Sequence, residues 1–194
     1  MFILEASNIK QARITIFLIS INVLLYVLFS FGFEEIFYSL IQINYKIFNN
    51  LEIWRLFTSM FLHADALHLF SNMISLLIFG AYTELNYSKY QFLIIYFISG
   101  LTGSIFSMLL LPLNTISLGA SGAIFGLIGA AFSILIVRRD TPLIYLGLIY
   151  VLYFVISSFA PEVNYFAHIF GLLGGFIIGY LFKRHKKSID KYQY

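Results

Sequence analysis

The sequence predicts an all-α, polytopic membrane protein with six spanning helices, and three observations lead there. Sixty percent of the 194 residues are hydrophobic and 11% are charged. With a mean hydropathy of +0.89, this lies far outside soluble composition. Six apolar runs, at about 14–31, 68–85, 90–111, 117–137, 143–159 and 165–182, each approach the ~20 residues a helix needs to cross a ~30 Å hydrocarbon core. Ten of the twelve basic residues fall on one side of the topology those runs define.

Taken in order, the first run has no n-region, h-region and small-residue cleavage signature, so it is expected to stay as a signal anchor. The connection 32–67 is the only long one. It mixes Phe, Ile, Tyr and Trp with Glu34, Glu35, Lys46, Glu52 and Arg55, a composition that suits the membrane interface better than water. The break between the third and fourth runs, Pro112-Leu113-Asn114-Thr115, carries no charge. The last run ends in Lys183-Arg184-His185-Lys186-Lys187, read as a basic tail from 183 to 194 that stops transfer and can touch anionic lipid. Residues 1–194 are expected to form one membrane domain. Both termini are expected in the cytoplasm by the positive-inside rule. The pI near 9.0 is thus a topology signal, and no nucleic-acid partner is expected. Zero cysteines exclude disulfides and Cys-based metal sites.

Polar residues inside such runs are functional candidates by default. Ser121 sits in Gly119-Ala120-Ser121-Gly122, and His168 in Ala167-His168-Ile169-Phe170-Gly171. Runs two, four and six all enter from the outer side. Ser121 lies 17 residues from Arg138, about 25 Å of helix; His168 lies 15 from Lys183, about 22 Å; His68 lies 16 from Glu84, about 24 Å. Three polar groups on three helices thus share one level, nearer the outer face.

Glycines give these helices a way to touch. Gly171, Gly175 and Gly179 recur at four-residue spacing, as do Gly122, Gly126 and Ala130, and small-xxx-small stripes bring spanning backbones close. His168 shares the face of Gly171 and Gly175. A hydroxyl and an imidazole are what nucleophilic acyl transfer requires. His68 and Asn72, four apart, share another face and supply a donor pair of the kind a tetrahedral oxyanion needs. A lone serine in such a stripe is ordinarily a packing residue and a lone histidine a structural hydrogen-bonder; their common depth argues against both readings. A metal centre does not fit, because His63 and His68 are five apart and no carboxylate shares their depth.

With Trp54-Arg55, His68-x-x-x-Asn72, Gly119-Ala120-Ser121-Gly122 and Ala167-His168-x-x-Gly171-x-x-x-Gly175 in this order, the sequence resembles the rhomboid intramembrane serine proteases, in their minimal six-helix bacterial form. The resemblance runs from about Asn50 through Phe182. It implies Ser121 as nucleophile and His168 as general base, without an acidic third member. It further implies an oxyanion site of His68, Asn72 and the Ser121 backbone N–H. His63 corresponds to a further histidine near a water-accessible cavity, expected to be lined also by Ser71. The chain departs from the family in one place: Phe125 stands where a tyrosine commonly stacks on the base, so the ring face is kept and the hydroxyl lost. Glu84 corresponds to a family acid, expected to be structural and to satisfy nearby backbone or a basic partner. Trp54 and Arg55 are expected to anchor the interfacial loop.

The resemblance implies an endopeptidase that cleaves membrane-protein segments near the outer face, needs no cofactor or metal, and has lipid as its surroundings; one copy of the chain suffices for catalysis, whatever the oligomeric state. Residues 157–162 form the expected lid, and Tyr150, Tyr153 and Phe154 an expected lateral gate. The lack of a targeting segment or extra helices points to a bacterial cytoplasmic membrane. Two other readings compete. A catalytically inactive relative that binds client helices would typically have lost the serine or histidine, and both are present. A small transporter would show an inverted repeat, and none is visible.

Overall fold

A computed structural model describes residues 10–139, 141–157 and 163–192, and among these the chain is helical nearly throughout. Helix α1, Arg13–Ser30, leads into a folded connection: α2 Glu34–Leu40, strand β1 Gln42–Ile43, α3 Asn44–Asn50, α4 Arg55–Thr58 and a 3-10 turn Ser59–Phe61. Helix α5 Ala66–Ser75, a π-helical segment Leu76–Gly80 and α6 Ala81–Asn86 make one span, Ala66–Asn86. Then follow α7 Lys89–Leu110, strand β2 Ile116–Ser117, α8 Ser121–Arg138, α9 Thr141–Ser157 and α10 Tyr165–Tyr192. Five of the spans are long and apolar enough to cross a bilayer. Helix α9, apolar but 17 residues long, reaches only the lower end of the ~17–25 residue range. The protein is an all-α, multi-pass membrane bundle.

Two boundaries depart from the hydropathy reading. The fourth helix begins at Ser121 rather than 117, because Ile116 and Ser117 pair antiparallel with Ile43 and Gln42. Gly119, at φ +126°, then turns the chain into the helix. The last helix does not end at 182 but continues to Tyr192. Lysine and arginine are good helix formers, and Lys183 holds that turn down, lying 4.4 Å over the Tyr87 ring and donating to the Asn86 carbonyl.

Helix α8 is the centre: 72% of its membrane window is buried inside the protein, against 17% for α1 and 22% for α10. Small residues allow this. A Cβ on Gly175 would lie 1.9 Å from the Gly126 carbonyl oxygen, and one on Gly171 2.2 Å from that of Gly122. Helices α8 and α10 therefore meet backbone to backbone, and Gly103 of α7 receives the Ala167 carbonyl in the same way, at 2.5 Å.

Polar side chains close the helix ends. Glu84 accepts the backbone N–H groups of Ile14 and Thr15, at 3.0 and 2.8 Å, and the Thr15 hydroxyl at 2.8 Å. A carboxylate from α6 thus satisfies first-turn donors of α1 that its own N-cap, Ala12, cannot reach.

The connection between α1 and α5 is built rather than loose. Arg55, 4% exposed, pairs with Glu52 at 2.5 Å and donates to the carbonyls of Tyr38 and Ile41 at 2.6 and 2.8 Å, which end α2. The Trp54 indole N–H donates to Ser39 O at 3.2 Å. Buried Gln42 donates to Ser104 O at 3.2 Å, and buried Asn44 to Pro112 O at 3.1 Å. The connection is thereby fixed to the C-terminal end of α7 and to the strand that precedes Ser121.

Candidate active site

Ser121 is the first residue of α8, and no side chain caps that end at Ala120. Its backbone N–H is one of the helix's unpaired first-turn donors, at the positive end of the helix dipole. The preceding turn is anchored by Gly119 N–H donating to Ser59 O at 2.9 Å. That turn admits only glycine on two counts. Its φ lies in the positive region, and a Cβ there would meet His68 Cε1 and Nε2 at 2.9 Å. The Asn72 amide nitrogen lies 3.6 Å from the same position. His68 and Asn72 therefore converge on the turn that delivers Ser121.

Helix α5 presents this pair through an ordinary N-cap: the Asp65 carboxylate accepts the His68 backbone N–H at 2.8 Å, so a carboxylate does stand at the level of His63 and His68, against the expectation from sequence. Asn72 follows one turn later and is 7% exposed. Its Nδ2 is buried and has no hydrogen-bond partner among the described residues. Buried amide donors are nearly always paired, so an orphan beside the Ser121 turn is a donor held ready.

His168 is the fourth residue of α10 and 9% exposed. Its imidazole stacks face to face on Phe125, with centroids 4.1 Å apart and planes 11° from parallel. Phe125 is four residues beyond Ser121, on the same face of α8. Ala167, next to His168, comes within 3.5 Å of the Cβ position of Gly122. The backbone contacts at Gly171 and Gly175 hold this side of α10 along the face that starts with Ser121. Beside Ser121 lies a cavity of about 30 Å³, room for about one water molecule, lined among others by Ser59, Ser104, Ser117, Gly119 and Asn164.

His63 stands behind His68, its ring edge-on with centroids 5.1 Å apart. It lines a second cavity of about 210 Å³ with Tyr26, Phe29, Ser30, Glu34 and Phe37. Burial above all, and then the neighbouring His68, push its pKa down to about 3, against the opposing pull of Asp65. His63 is therefore a neutral imidazole throughout the physiological range.

Several sequence candidates lie elsewhere. Ser71 hydrogen-bonds the His68 carbonyl at 3.0 Å, inside its own helix. Glu84 serves α1, while Trp54 and Arg55 serve the end of α2. Residues 158–162 of the expected lid, and the Tyr150 and Phe154 side chains of the expected gate, lie outside the described residues; Tyr153 is exposed. Sequence reading passed over Asn164, although Asn directly before an apolar run is a helix N-cap signal.

Comparison with known proteins bears on the same segment. The Rhomboid domain family matches residues 50–185. The chain is 39% identical over 148 residues to RHOMBOID-like protein 6, mitochondrial, of Arabidopsis thaliana, covering 74% of this chain and 48% of that one. It is 35% identical over 144 residues to the Bacillus subtilis protein named "Putative rhomboid protease YdcA", covering 71% of each. It is also 38% identical over 133 residues to Inactive RHOMBOID-like protein 8 of Arabidopsis thaliana, covering 66% of this chain and 36% of that one. The chain spans about half the length of the Arabidopsis relatives it matches, or less. On the matched span, which includes Ser121, His168, His68 and Asn72, the chain belongs to the rhomboid family.

Proposed function

We propose that this protein is a serine endopeptidase that cuts transmembrane segments by a Ser121–His168 dyad. The observation that carries the reading is the orphaned Asn72 amide, packed with His68 against the Gly119 turn. An unpaired donor in a buried place costs stability, and an oxyanion formed at Ser121 would use it.

In this mechanism the Ser121 hydroxyl attacks the substrate carbonyl carbon while His168 accepts its proton. The carbonyl oxygen becomes an oxyanion, held by Asn72 Nδ2–H, the His68 ring and the Ser121 backbone N–H. Collapse of that intermediate breaks the C–N bond, and His168 passes its proton to the leaving amine. Water then attacks the acyl-enzyme by the same route and frees Ser121. The Phe125 face keeps the imidazole plane fixed through both proton transfers. Every group involved comes from one chain, so a monomer suffices.

The Lys and Arg distribution supports cytoplasmic termini. In a bacterial cytoplasmic membrane the site then opens toward the extracytoplasmic face, where the N-terminal ends of α5, α8 and α10 meet. An intact substrate helix hides its carbonyls in i to i−4 bonds, so substrates are expected to carry helix-breaking residues near the outer end of their span, with a small residue before the cut.

The test is cleavage of a transmembrane reporter by purified protein in detergent, beside Ser121→Ala and His168→Ala. Wild-type cleavage lost in both variants supports the dyad; cleavage persisting in Ser121→Ala refutes it. The inactive Arabidopsis relative marks the competing reading, a binder of client helices. That reading predicts reporter binding without cleavage in all three proteins.

A further inference from the structure

Asn164 directly precedes α10, and its side-chain amide and backbone carbonyl together fix where that helix begins. Its Oδ1 accepts the Ala167 backbone N–H at 3.1 Å, the third helical position, as an N-cap should. Its backbone carbonyl accepts the His168 N–H at 3.3 Å. Its Nδ2 donates to Ser107 Oγ at 2.5 Å and to Ser117 Oγ at 2.7 Å. Ser107 is fully buried near the end of α7. Ser117 is in β2, four residues before Ser121, and pairs with Gln42 of β1. One side chain therefore ties the helix carrying His168 to the strand that leads into Ser121.

The other restraints on His168 act mainly across the helix axis. A face-to-face stack on Phe125 sets the ring plane and its distance but resists sliding only weakly. The glycine contacts set how closely α10 approaches α8. At the end of α10 that carries His168, its height along its own axis is held by directional hydrogen bonds, those of Asn164 to Ser107 and Ser117. We propose that Asn164 is the positioning residue of the dyad, setting the axial register of His168 against Ser121. This rests on the protease reading above.

A misplacement of about 1 Å can cost on the order of 10²-fold in rate, so Asn164→Ala is expected to lower kcat by roughly ten- to a hundredfold with KM within about twofold of wild type. Asn164→Asp keeps the acceptor for Ala167 and can accept both serine hydroxyls. It is expected to restore kcat to within about threefold of wild type. Ser117→Ala removes one tie while leaving the cap intact, a mild change that gives an intermediate loss even if Asn164→Ala folds poorly. Hydrogen exchange at the 165–168 amides, independent of turnover, is expected to quicken in Asn164→Ala and return toward wild type in Asn164→Asp.

Unchanged kcat in Asn164→Ala, a loss carried by KM, or no rescue by Asn164→Asp would overturn the proposal while wild-type cleavage leaves the protease reading standing. A wild-type protein that neither cleaves the reporter nor labels with a fluorophosphonate at Ser121 overturns the protease reading instead.

Discussion

Asn72→Leu separates the chemistry of this site from its stability, because the two are expected to move in opposite directions. Leucine keeps the branched shape of asparagine and removes only its polarity. In the resting protein the Asn72 Nδ2 is buried without a hydrogen-bond partner among the described residues, a situation that costs about 1–3 kcal/mol. Removing it should leave the fold unchanged or stabilise it by about 1 kcal/mol, raising Tm by roughly 2–4 °C for a chain of this size. In the transition state the same donor faces a charged oxygen. Losing one oxyanion donor costs about 2.7–4 kcal/mol, or 10²–10³ in kcat. KM should hold, since the uncharged substrate carbonyl gains little from that donor. The assay is initial-rate cleavage of a transmembrane reporter over a range of substrate concentrations, with thermal unfolding on the same detergent sample. A kcat within about threefold of wild type would refute the role given to Asn72. A Tm lowered by several degrees would show the amide to be structural instead.

Three further outcomes follow from other parts of the bundle. Glu84→Ala strips two backbone N–H groups and a hydroxyl of their acceptor at the fully buried Thr15 turn. It should destabilise by about 3 kcal/mol or more, seen in thermal unfolding, while cleavage well below Tm stays within about threefold. Gly171→Ala drives a Cβ to 2.2 Å from the Gly122 carbonyl oxygen, whereas Gly174→Ala meets its nearest neighbours at 3.6 Å. The first should lower kcat about 10²-fold by prising His168 from Ser121, the second should be tolerated, and equal effects would count against the glycine contact. His63 is held near pKa 3 against an ordinary 6.5, so below pH 6.5 the unfolded chain binds a proton the folded one refuses. This depressed pKa makes stability fall as pH drops from 6.5 toward 3, by up to about 1.4 kcal/mol per pH unit. His63→Phe should flatten the Tm-against-pH curve between pH 6.5 and 4.5, and parallel curves for the two proteins would argue against this.

The sequence exposed those parts of the fold whose cause is local. Apolar run length gives the spans, and the four-residue spacing of Gly171 and Gly175 with Gly122 and Gly126 gives the helix pair that carries His168 and Ser121. Phe125, one turn past Ser121, is marked as a surface for an imidazole only by the family resemblance, since one phenylalanine among many apolar residues carries no local signal of that role. What stayed hidden depends on distant pairing. Nothing near Glu84 says that its partners are Ile14 and Thr15, 70 and 69 residues away. Nor does Gln42 announce a strand partner at Ser117, the pairing that moves the start of α8 from 117 to 121. The π-helical segment Leu76–Gly80 left no hydropathy mark either, since one extra residue in a turn alters the face a helix shows without altering its composition.

The arrangement also explains how so apolar a chain can hold a polar site. Ser121, His68 and His168 all lie within the first turn or so of their helices: first residue of α8, third of α5, fourth of α10. There the backbone itself offers unpaired N–H groups, so a donor for an oxyanion comes without burying a charged side chain, which hydrocarbon makes expensive. The acids near these spans go to other uses: Asp65 caps the His68 turn and Glu84 closes α1 far below. Neutral groups at helix starts, drawn together by glycine contacts between backbones, can thus share one level in the membrane. That level has to lie toward the side where the helices begin, because only there are the donors free.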